Sequence, residues 1–324
     1  MRRRDFIKTT VPAAAATLAS GYWSEIEAAV AKSANKPIAK RKYKDDVKLS
    51  IIGFGAIVLV GQSQRAGNNE VARAYDRGIN YYDVAPTYGK GEAELKLGPA
   101  LKPYRDKVFL ACKTQKRDAA GARAELEKSL KTLKTDHFDL YQLHAMRKAE
   151  DVDKVFAPGG AMETFLKAQQ EGKIRYIGFS AHGEQTGIEL LNRFDFDSVL
   201  FPINYVCYAN GGWGRKLFAK AKEKGAARLA LKALAYTPWE SKDAKTASGY
   251  TKSWYRPIDD MEKARAALRF TLSLDVTSAI PPGSESIYRA AETMGAEFKR
   301  MKPDERKALL ASAKGLEPLF PRPA

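Results

Sequence analysis

Four side chains capable of acid–base chemistry stand where apolar stretches of this sequence end. Asp83 lies near the end of INYYDVA, and Tyr88 follows five residues later in the Gly-rich stretch PTYGKG. Lys113 ends KVFLACK, and His144 ends FDLYQLH. Each residue alone has an ordinary structural explanation, such as a solvated lysine or a packed tyrosine. Together they form a set that can deliver a proton to a carbonyl oxygen.

The proton donor of this set is predicted to be Tyr88. A free phenol has a pKa of about 10, and a nearby cation lowers that pKa. Lys113 is the candidate cation, and Asp83 is the counter-ion that offsets the cost of desolvating it. His144 can donate a hydrogen bond to the substrate oxygen or tune the phenol. No side chain supplies a hydride, so the reduction of a carbonyl by these residues requires a nicotinamide cofactor.

The elements that position these residues follow from the pattern of apolar stretches. Strands are predicted at 49–55, 79–85, 107–113, 138–144, 174–180, 198–205, 227–233 and 277–282. Amphipathic segments alternate with them: Leu126, Leu130 and Leu133 mark one buried helical face, and two further helices end at a capping Gly. Units about thirty residues long with near-continuous apolar strands predict parallel strands covered by helices.

Eight such units predict closure into one (β/α)₈ barrel. The carboxyl ends of barrel strands meet at one face, so Asp83, Tyr88, Lys113 and His144 are expected to converge there. An open doubly wound sheet is the alternative, but GFGAIV after the first strand lacks the third glycine of the dinucleotide-binding fingerprint.

At these residues the sequence resembles the aldo-keto reductases. The similarity runs from about residue 47 to 300, and five segments carry it: GINYYDVAPTYGKGEAELKLGPAL, FLACKT, HFDLYQLH, EGKIRYIGFSAH and TSAIPPGSES. The resemblance implies a (β/α)₈ TIM barrel of the aldo-keto reductase type that binds a nicotinamide cofactor across its strand ends. It also implies a catalytic tetrad of Asp83, Tyr88, Lys113 and His144.

The family's cofactor positions match this sequence in part. Ser180 is retained, whereas Ala181 replaces the usual Asn and Pro202 the usual Gln that hold the carboxamide. In the last loop, the positions aligned with cofactor contacts are Gly283, Ser284, Arg289 and Glu292. Gly283 stands where a Lys often pairs with a 2′-phosphate. Lys232, which ends the seventh strand, is a candidate substitute, and NADP(H) is favoured over NAD(H).

Aromatic residues mark a predicted substrate pocket. The long interruption 236–257 follows the seventh strand and carries Trp239, Tyr250, Trp254 and Tyr255. We expect it to hang over the active face, with Trp213 from the preceding unit on the same wall. The alternative is that these rings only pack the insertion onto the barrel.

The N-terminus resembles an export signal of the twin-arginine type. Arg3 and Arg4 precede a short Ala-rich stretch, and AVA at 29–31 suits a signal peptidase. We therefore predict a signal peptide over 1–31, a linker over 32–46 and a barrel domain over 47–324. These features predict export of the folded protein to a bacterial periplasm, with the twin-arginine machinery as partner. No later stretch is long enough to span a membrane.

Composition excludes several other classes of protein. The formal charge is +17, but basic residues are spread along the chain among acidic ones, which argues against nucleic acid as a partner. Two cysteines and three histidines form no paired-ligand spacing, so no metal is expected. None of the 15 tyrosines has the Lys four residues later that short-chain dehydrogenases use.

The expected activity is reduction of a small aldehyde or ketone, or oxidation of the alcohol, with Tyr88 as general acid. Two alternatives stay open. One is a non-catalytic protein of the same fold that binds NADP(H) as a redox sensor or regulator. The other is an exported binding protein without a cofactor, for which the four polar residues would be an accident.

Overall fold

The computed structural model describes residues 36–320. Most of the chain forms alternating strands and helices, and the predicted signal peptide lies outside the described residues. Eight strands, β3 to β9 and β12, make one parallel sheet in the order 12-9-8-7-6-5-4-3. Counted along the chain, the strands are β1 Lys40–Lys44, β2 Val47–Ser50, β3 Phe54–Gly55, β4 Tyr81–Asp83, β5 Phe109–Thr114, β6 Phe138–Met146, β7 Ile174–Ala181, β8 Ser198–Pro202, β9 Ala227–Leu231, β10 Ala235–Pro238, β11 Tyr255–Pro257 and β12 Ser278–Ile280.

Backbone hydrogen bonds join the first and last strands of this sheet. The Gly53 N–H donates to the Ala279 carbonyl at 2.9 Å, and the Ala279 N–H donates to the Ile51 carbonyl at 2.9 Å. Ile52 and Ala279 are paired in parallel. The sheet is therefore closed, which confirms the predicted (β/α)₈ barrel and excludes the open doubly wound alternative.

Helices follow the barrel strands and pack on their outer surface. Several begin where the sequence offers a polar cap: the Ser63, Asp118 and Asp260 side chains accept hydrogen bonds from first-turn N–H groups. Two end at Gly172 and Gly225, whose φ angles of 74° and 69° suit glycine. The helices are α1 Gln64–Asp76, α2 Glu92–Leu101, α3 Ala119–Leu133, α4 Ala149–Phe156, α5 Ala161–Gln170, α6 Glu184–Arg193, α7 Arg215–Glu223, α8 Lys242–Ala247, α9 Met261–Ser273, α10 Glu285–Ala296 and α11 Pro303–Ala311.

The hairpin of β1 and β2 covers the amino-terminal end of the barrel. Tyr43 is buried against Phe109 and Tyr176, and its hydroxyl donates to the Ser198 hydroxyl at 3.1 Å. These partners lie at or near the starts of β5, β7 and β8. The predicted linker 32–46 thus carries a strand in its second half. The sequence does not reveal this strand, because KRKYK has one buried tyrosine among basic residues that are exposed or half-buried.

The predicted insertion 236–257 forms a second hairpin, with β10 and β11 antiparallel and α8 between them. It leaves the carboxyl end of β9, as expected. Its Lys252 ammonium donates to the Val58 carbonyl at 2.9 Å and lies 3.0 Å from the Glu285 carboxylate. The insertion therefore reaches across to the loop after β3 and to the start of α10. Within residues 36–320, no helix combines the length and the apolar character needed to cross a membrane.

Candidate active site

The carboxyl ends of the barrel strands, referred to below as the mouth, hold a buried ion pair. The Lys113 ammonium on β5 contacts the Asp83 carboxylate on β4, and both side chains are 1% exposed. The same ammonium donates to the Val84 carbonyl at 3.1 Å. Burial alone would lower the pKa of Lys113, but Asp83 and Tyr88 act against it and raise the pKa overall. Lys113 therefore stays charged at neutral pH.

Two further side chains fix the Asp83 carboxylate. The Tyr81 hydroxyl and the Gln142 amide donate to Oδ2 at 3.2 Å and 3.3 Å. Sequence reasoning missed both residues. A signal was present, because Tyr81 precedes Asp83 by two residues and Gln142 precedes His144 by two, and side chains two apart on a strand share a face.

Tyr88 lies above this ion pair on a tight loop. The residues after it, Gly89, Lys90 and Gly91, all have left-handed backbone angles, with φ of 59°, 56° and 96°. A Cβ on Gly89 would lie 2.6 Å from a methyl of Val60, so glycine is required there by both conformation and space. The loop holds the Tyr88 hydroxyl 3.3 Å from the Lys113 ammonium, within donor range.

The pKa of Tyr88 shifts in the direction opposite to that predicted. Burial raises the pKa of the phenol, and Lys113 lowers it by less than that. The sequence-based expectation of a lowered pKa is therefore wrong, because desolvation disfavours the phenolate more than one cation favours it. Tyr88 is a neutral phenol at physiological pH and carries the proton that a general acid must donate.

His144 completes the set from β6. Its ring stands edge-on to the Tyr88 ring, with centroids 5.9 Å apart. Burial, followed by the charge of Lys113, lowers the pKa of His144 to about 3, so the imidazole is neutral at physiological pH. Ala145 has a φ of 57° and donates its N–H to the Ser180 hydroxyl at 2.7 Å. This left-handed residue bends β6 immediately after His144. The four predicted residues thus lie together in the mouth.

The positions expected to hold a nicotinamide carboxamide offer few donors. Ser180 is buried near the end of β7, with its hydroxyl bound by Ala145. Ala181 has no polar side-chain atom, and Pro202 at the end of β8 also contributes none. Of the groups typical for this end of the cofactor, only the Ser180 hydroxyl is in place.

The start of α10 suits the phosphates of a dinucleotide better. The Ser284 side chain does not cap the helix, which leaves first-turn N–H groups for an anion. A Cβ on Gly283 would collide with Ile57, which explains why no larger residue stands there. These features fit the phosphate end of a nicotinamide cofactor.

Arg289 and Glu292, predicted as cofactor contacts, are both ion-paired with α1. The Arg289 guanidinium donates to Oε2 of Glu70 from Nη2 at 2.7 Å and from Nε at 3.2 Å. Glu292 is fully buried and paired with Arg73, which also contacts Glu70. The structure therefore places Glu292 inside the interface between α1 and α10, whereas Arg289 is 41% exposed.

Lys232 has neighbours quite different from those expected. Its ammonium lies 3.3 Å from His182 Nε2 and within 6.0 Å of the ring centroids of Trp254, Tyr255 and Phe320. None of the contacts of Lys232 is with the residues around Arg289. The interpretation of Lys232 as a substitute 2′-phosphate partner is not supported by these contacts, because the end of β9 directs the side chain toward the end of β7.

Two of the aromatic residues predicted to line a substrate pocket pack against Phe320 in the C-terminal segment. Trp213 is buried and stacks on Phe320, with centroids 4.9 Å apart, and Trp254 meets Phe320 edge-on at 6.1 Å. Trp239 makes a contact within the insertion, because its indole N–H donates to the Ser253 carbonyl at 3.1 Å. Sequence reasoning missed Phe320 and His182, whose rings are stacked at 6.0 Å. His182 ends the segment EGKIRYIGFSAH, which could have drawn attention to it, whereas Phe320 belongs to no motif of the sequence.

Residues 36–320 contain no cluster of three or more His, Cys, Asp or Glu able to hold a metal ion. The reaction centre itself combines the neutral phenol of Tyr88, the neutral imidazole of His144 and the Lys113–Asp83 pair. This arrangement can donate a proton to an oxygen and stabilise the phenolate that remains.

Comparison with known proteins agrees with this geometry. Residues 52–313 match the profile of the Aldo/keto reductase family. The uncharacterized oxidoreductase YqkF of Bacillus subtilis is 25% identical over 305 residues, spanning 85% of this chain and 96% of that protein. Methylglyoxal reductase YeaE of Escherichia coli is 34% identical over 144 residues, 43% of this chain and 48% of its own length.

Solved structures show the same fold. The holo form of aldo-keto reductase AKR11C1 from Bacillus halodurans has a TM-score of 0.68 and 24% sequence identity. The match covers 88% of this chain and 100% of that one.

Proposed function

The chain belongs to the aldo/keto reductase family of oxidoreductases, and from this premise we propose that it reduces a small aldehyde or ketone with Tyr88 as the general acid. The observation that carries the proposal is the Tyr88 hydroxyl held 3.3 Å from the ammonium of Lys113, which is itself paired with Asp83. The name of the relative methylglyoxal reductase supports a small carbonyl compound as substrate.

The four residues of the proposed tetrad have separate tasks in this reaction. A bound reduced nicotinamide supplies the hydride to the carbonyl carbon. Tyr88 donates its proton to the carbonyl oxygen, and the Lys113 ammonium then stabilises the phenolate. His144, being neutral, donates one hydrogen bond to the same oxygen and helps to orient it. Asp83 keeps Lys113 charged and in place. Positioned proton transfer of this kind is typically worth about 10²–10⁴ in rate.

The family uses nicotinamide cofactors, and we propose NADP(H) over NAD(H) for this member. Ser284 at the start of α10 and the half-exposed Arg289 support binding of phosphate groups. A 2′-phosphate would have to share Arg289 with Glu70, since that carboxylate already accepts two hydrogen bonds from the guanidinium. The strength of the preference for NADP(H) thus depends on Glu70.

A second candidate function rests on the reduced set of carboxamide donors. Because Ala181 and Pro202 contribute no polar side chain, a bound nicotinamide ring would be held by fewer groups than the family normally provides. A protein that binds NADP(H) without turnover, as a redox sensor or regulator, is consistent with this feature.

One experiment separates the two candidates. Protein lacking residues 1–31 is mixed with NADPH and a panel of aldehydes and quinones, and NADPH oxidation is followed by absorbance. If the protein is a reductase, the wild type oxidises NADPH and Tyr88→Phe does not. NADPH fluorescence should show that Tyr88→Phe still binds the cofactor. Tyr82→Phe is the control, since that buried tyrosine donates to a backbone carbonyl on α1 outside the mouth. Cofactor binding without oxidation of NADPH on any carbonyl supports the sensor instead.

We further propose that residues 1–31 are a twin-arginine signal peptide and that the folded protein acts in a bacterial periplasm. Arg3 and Arg4 followed by the Ala-rich stretch support this proposal. Replacing both arginines by lysine is expected to leave the protein in the cytoplasmic fraction of an expressing bacterium. A periplasmic location that survives this double substitution would contradict it.

A further inference from the structure

A buried ammonium without a counter-ion stands in the mouth beside the proposed reaction centre. Lys232 is 8% exposed, and no carboxylate of residues 36–320 pairs with it. The Lys232 ammonium donates to Nε2 of the neutral His182 imidazole. This bond uses one of the three N–H donors of the ammonium. An ammonium in such a place normally pairs with an anion, because desolvating an unpaired charge is costly.

The surroundings of Lys232 add positive charge. Burial, and after it the guanidinium of Arg147, lowers the pKa of Lys232 to about 8. Burial, followed by the charges of Lys232 and Arg147, lowers the pKa of His182 to about 2. The two cations, Arg147 and Lys232, and the neutral His182 between them in the chain come from the ends of β6, β9 and β7. The charges of Lys232 and Arg147 also help to lower the pKa of His144 in the reaction centre.

The backbone of Lys232 indicates that its position is specified. Its φ of 62° is left-handed, which is unusual for a residue other than glycine. The side chain is surrounded by Trp254, Tyr255 and Phe320, at 5.7 Å, 6.0 Å and 5.9 Å from the ring centroids. Strain and burial at one lysine in the mouth point to function, because a merely structural lysine would be more stable in solvent.

We propose that Lys232 and His182 form a binding site for a carboxylate carried by the substrate, so that the protein acts on oxo acids. This inference rests on the proposed carbonyl reductase activity. The carbonyl group lies at Tyr88 and His144, and the carboxylate binds the two donor positions of Lys232 that His182 leaves open. A substrate carboxylate bound there gives Lys232 the negatively charged partner that no described residue provides. A neutral carbonyl compound leaves Lys232 unpaired.

The pyrophosphate of the cofactor is the other anion that could reach this site, and substrate pairs distinguish the two sources. The test compares 4-carboxybenzaldehyde with its methyl ester, and succinic semialdehyde with butanal, for the wild type and for Lys232→Met. In the wild type, kcat/KM is expected to favour each acid. Lys232→Met is expected to reduce kcat/KM for the acids by at least about tenfold and to leave the neutral compounds within about threefold.

Binding of NADPH provides the discriminating measurement. Its Kd is expected to stay the same in Lys232→Met. Equal losses for acid and neutral substrate, together with weaker NADPH binding, would assign Lys232 to the cofactor phosphates and overturn the proposal. A wild type that does not prefer the acids would overturn it as well. Lys224→Met, which removes an exposed charge at the end of α7, is the control for net charge.

A second measurement does not depend on turnover. Benzoate is expected to raise the melting temperature of the wild type more than benzamide, and to lose this advantage in Lys232→Met. If no carbonyl compound is reduced but this benzoate effect is present, the carboxylate site stands and the proposed reductase activity fails. If carbonyl compounds are reduced but benzoate and benzamide act alike, the reductase activity stands and the carboxylate site fails.

Discussion

The Lys113 ammonium lies 3.3 Å from the Tyr88 hydroxyl, yet the pKa of that phenol is raised. Burial raises the pKa of Tyr88 more than Lys113 lowers it, and the same ammonium is paired with Asp83. The lysine therefore leaves the phenol protonated before reaction and becomes a partner for the phenolate only once the proton has gone. Such a donor stabilises the charge that develops in the reaction more than the ground state.

Removing one member of the Asp83–Lys113 pair is expected to destabilise the protein more than removing both charges. Asp83→Asn leaves a buried ammonium unpaired and should lower the free energy of unfolding by about 3–5 kcal/mol. The double variant Asp83→Asn, Lys113→Met removes the charge altogether and should recover much of this loss while remaining inactive. Urea denaturation of the three proteins measures both effects. A double variant less stable than Asp83→Asn would contradict the argument.

Acid is expected to unfold the protein through two histidines. The pKa values of His144 and His182 are lowered by burial to about 3 and about 2, against an ordinary value of about 6.5. Below about pH 6.5 the unfolded chain binds protons that the folded chain does not. Stability is therefore fully present above that pH and falls by about 1.4 kcal/mol per pH unit for each histidine as the pH drops toward 3.

Urea midpoints measured between pH 7 and pH 4 check this slope. His144→Gln and His182→Asn should each reduce it, because each removes one of the two buried imidazoles. A slope unaffected by either substitution would exclude these histidines as its source.

Lys232→Met is expected to stabilise the protein. Burial lowers the pKa of Lys232 to about 8, so at neutral pH the folded state bears the cost of a charged, poorly solvated ammonium. Methionine keeps the packing against Trp254 and Tyr255, and the contacts of the ammonium with these rings are near the outer limit of about 6 Å for cation–π attraction. We expect a gain on the order of 1–2 kcal/mol at pH 7.

The pH dependence of this gain identifies its cause. Between about pH 8 and pH 10.5 the folded state loses the Lys232 proton before the unfolded state does, so the penalty shrinks as the pH rises. The advantage of Lys232→Met in thermal melts should therefore decline from pH 8 toward pH 10. A constant advantage would indicate improved packing instead of removal of a charge.

Glu70→Gln is expected to shift cofactor choice toward NADPH. The substitution frees the Arg289 guanidinium from a competing carboxylate and removes a negative charge near the expected 2′-phosphate. NADPH affinity should rise by roughly fivefold relative to NADH, as measured by fluorescence titration of both cofactors. Arg289→Ala should weaken NADPH more than NADH. Equal changes for the two cofactors in both variants would remove this pair from the 2′-phosphate site.

The sequence predicts the barrel and the four residues at its strand ends because both depend on local patterns. Apolar stretches recur with the period of a β/α unit, and the polar residue that ends each stretch must lie at the carboxyl face. All eight predicted strands occur in the structure, although the stretch 49–55 is divided between the β1–β2 hairpin and the short β3.

Features that depend on residues far apart in the chain could not be predicted. Glu70 and Arg289 are separated by 219 positions, and nothing in either segment indicates the other. The direction of the Tyr88 pKa shift depends on burial, which one sequence does not reveal. The neighbours of Lys232 depend on where the segment ending at Phe320 packs, outside the alternation of strands and helices.

The seam between β3 and β12 has a consequence for folding. It joins Gly53 to Ala279, and the ion pairs Glu70–Arg289 and Arg73–Glu292 join the helices on either side of it. All of these contacts span more than 200 residues, so closing them costs the most chain entropy and should come late, after neighbouring units have assembled. Arg289 can therefore pair with Glu70 only once the barrel has closed. Recovery of dinucleotide binding during refolding would therefore time the final closure of the barrel.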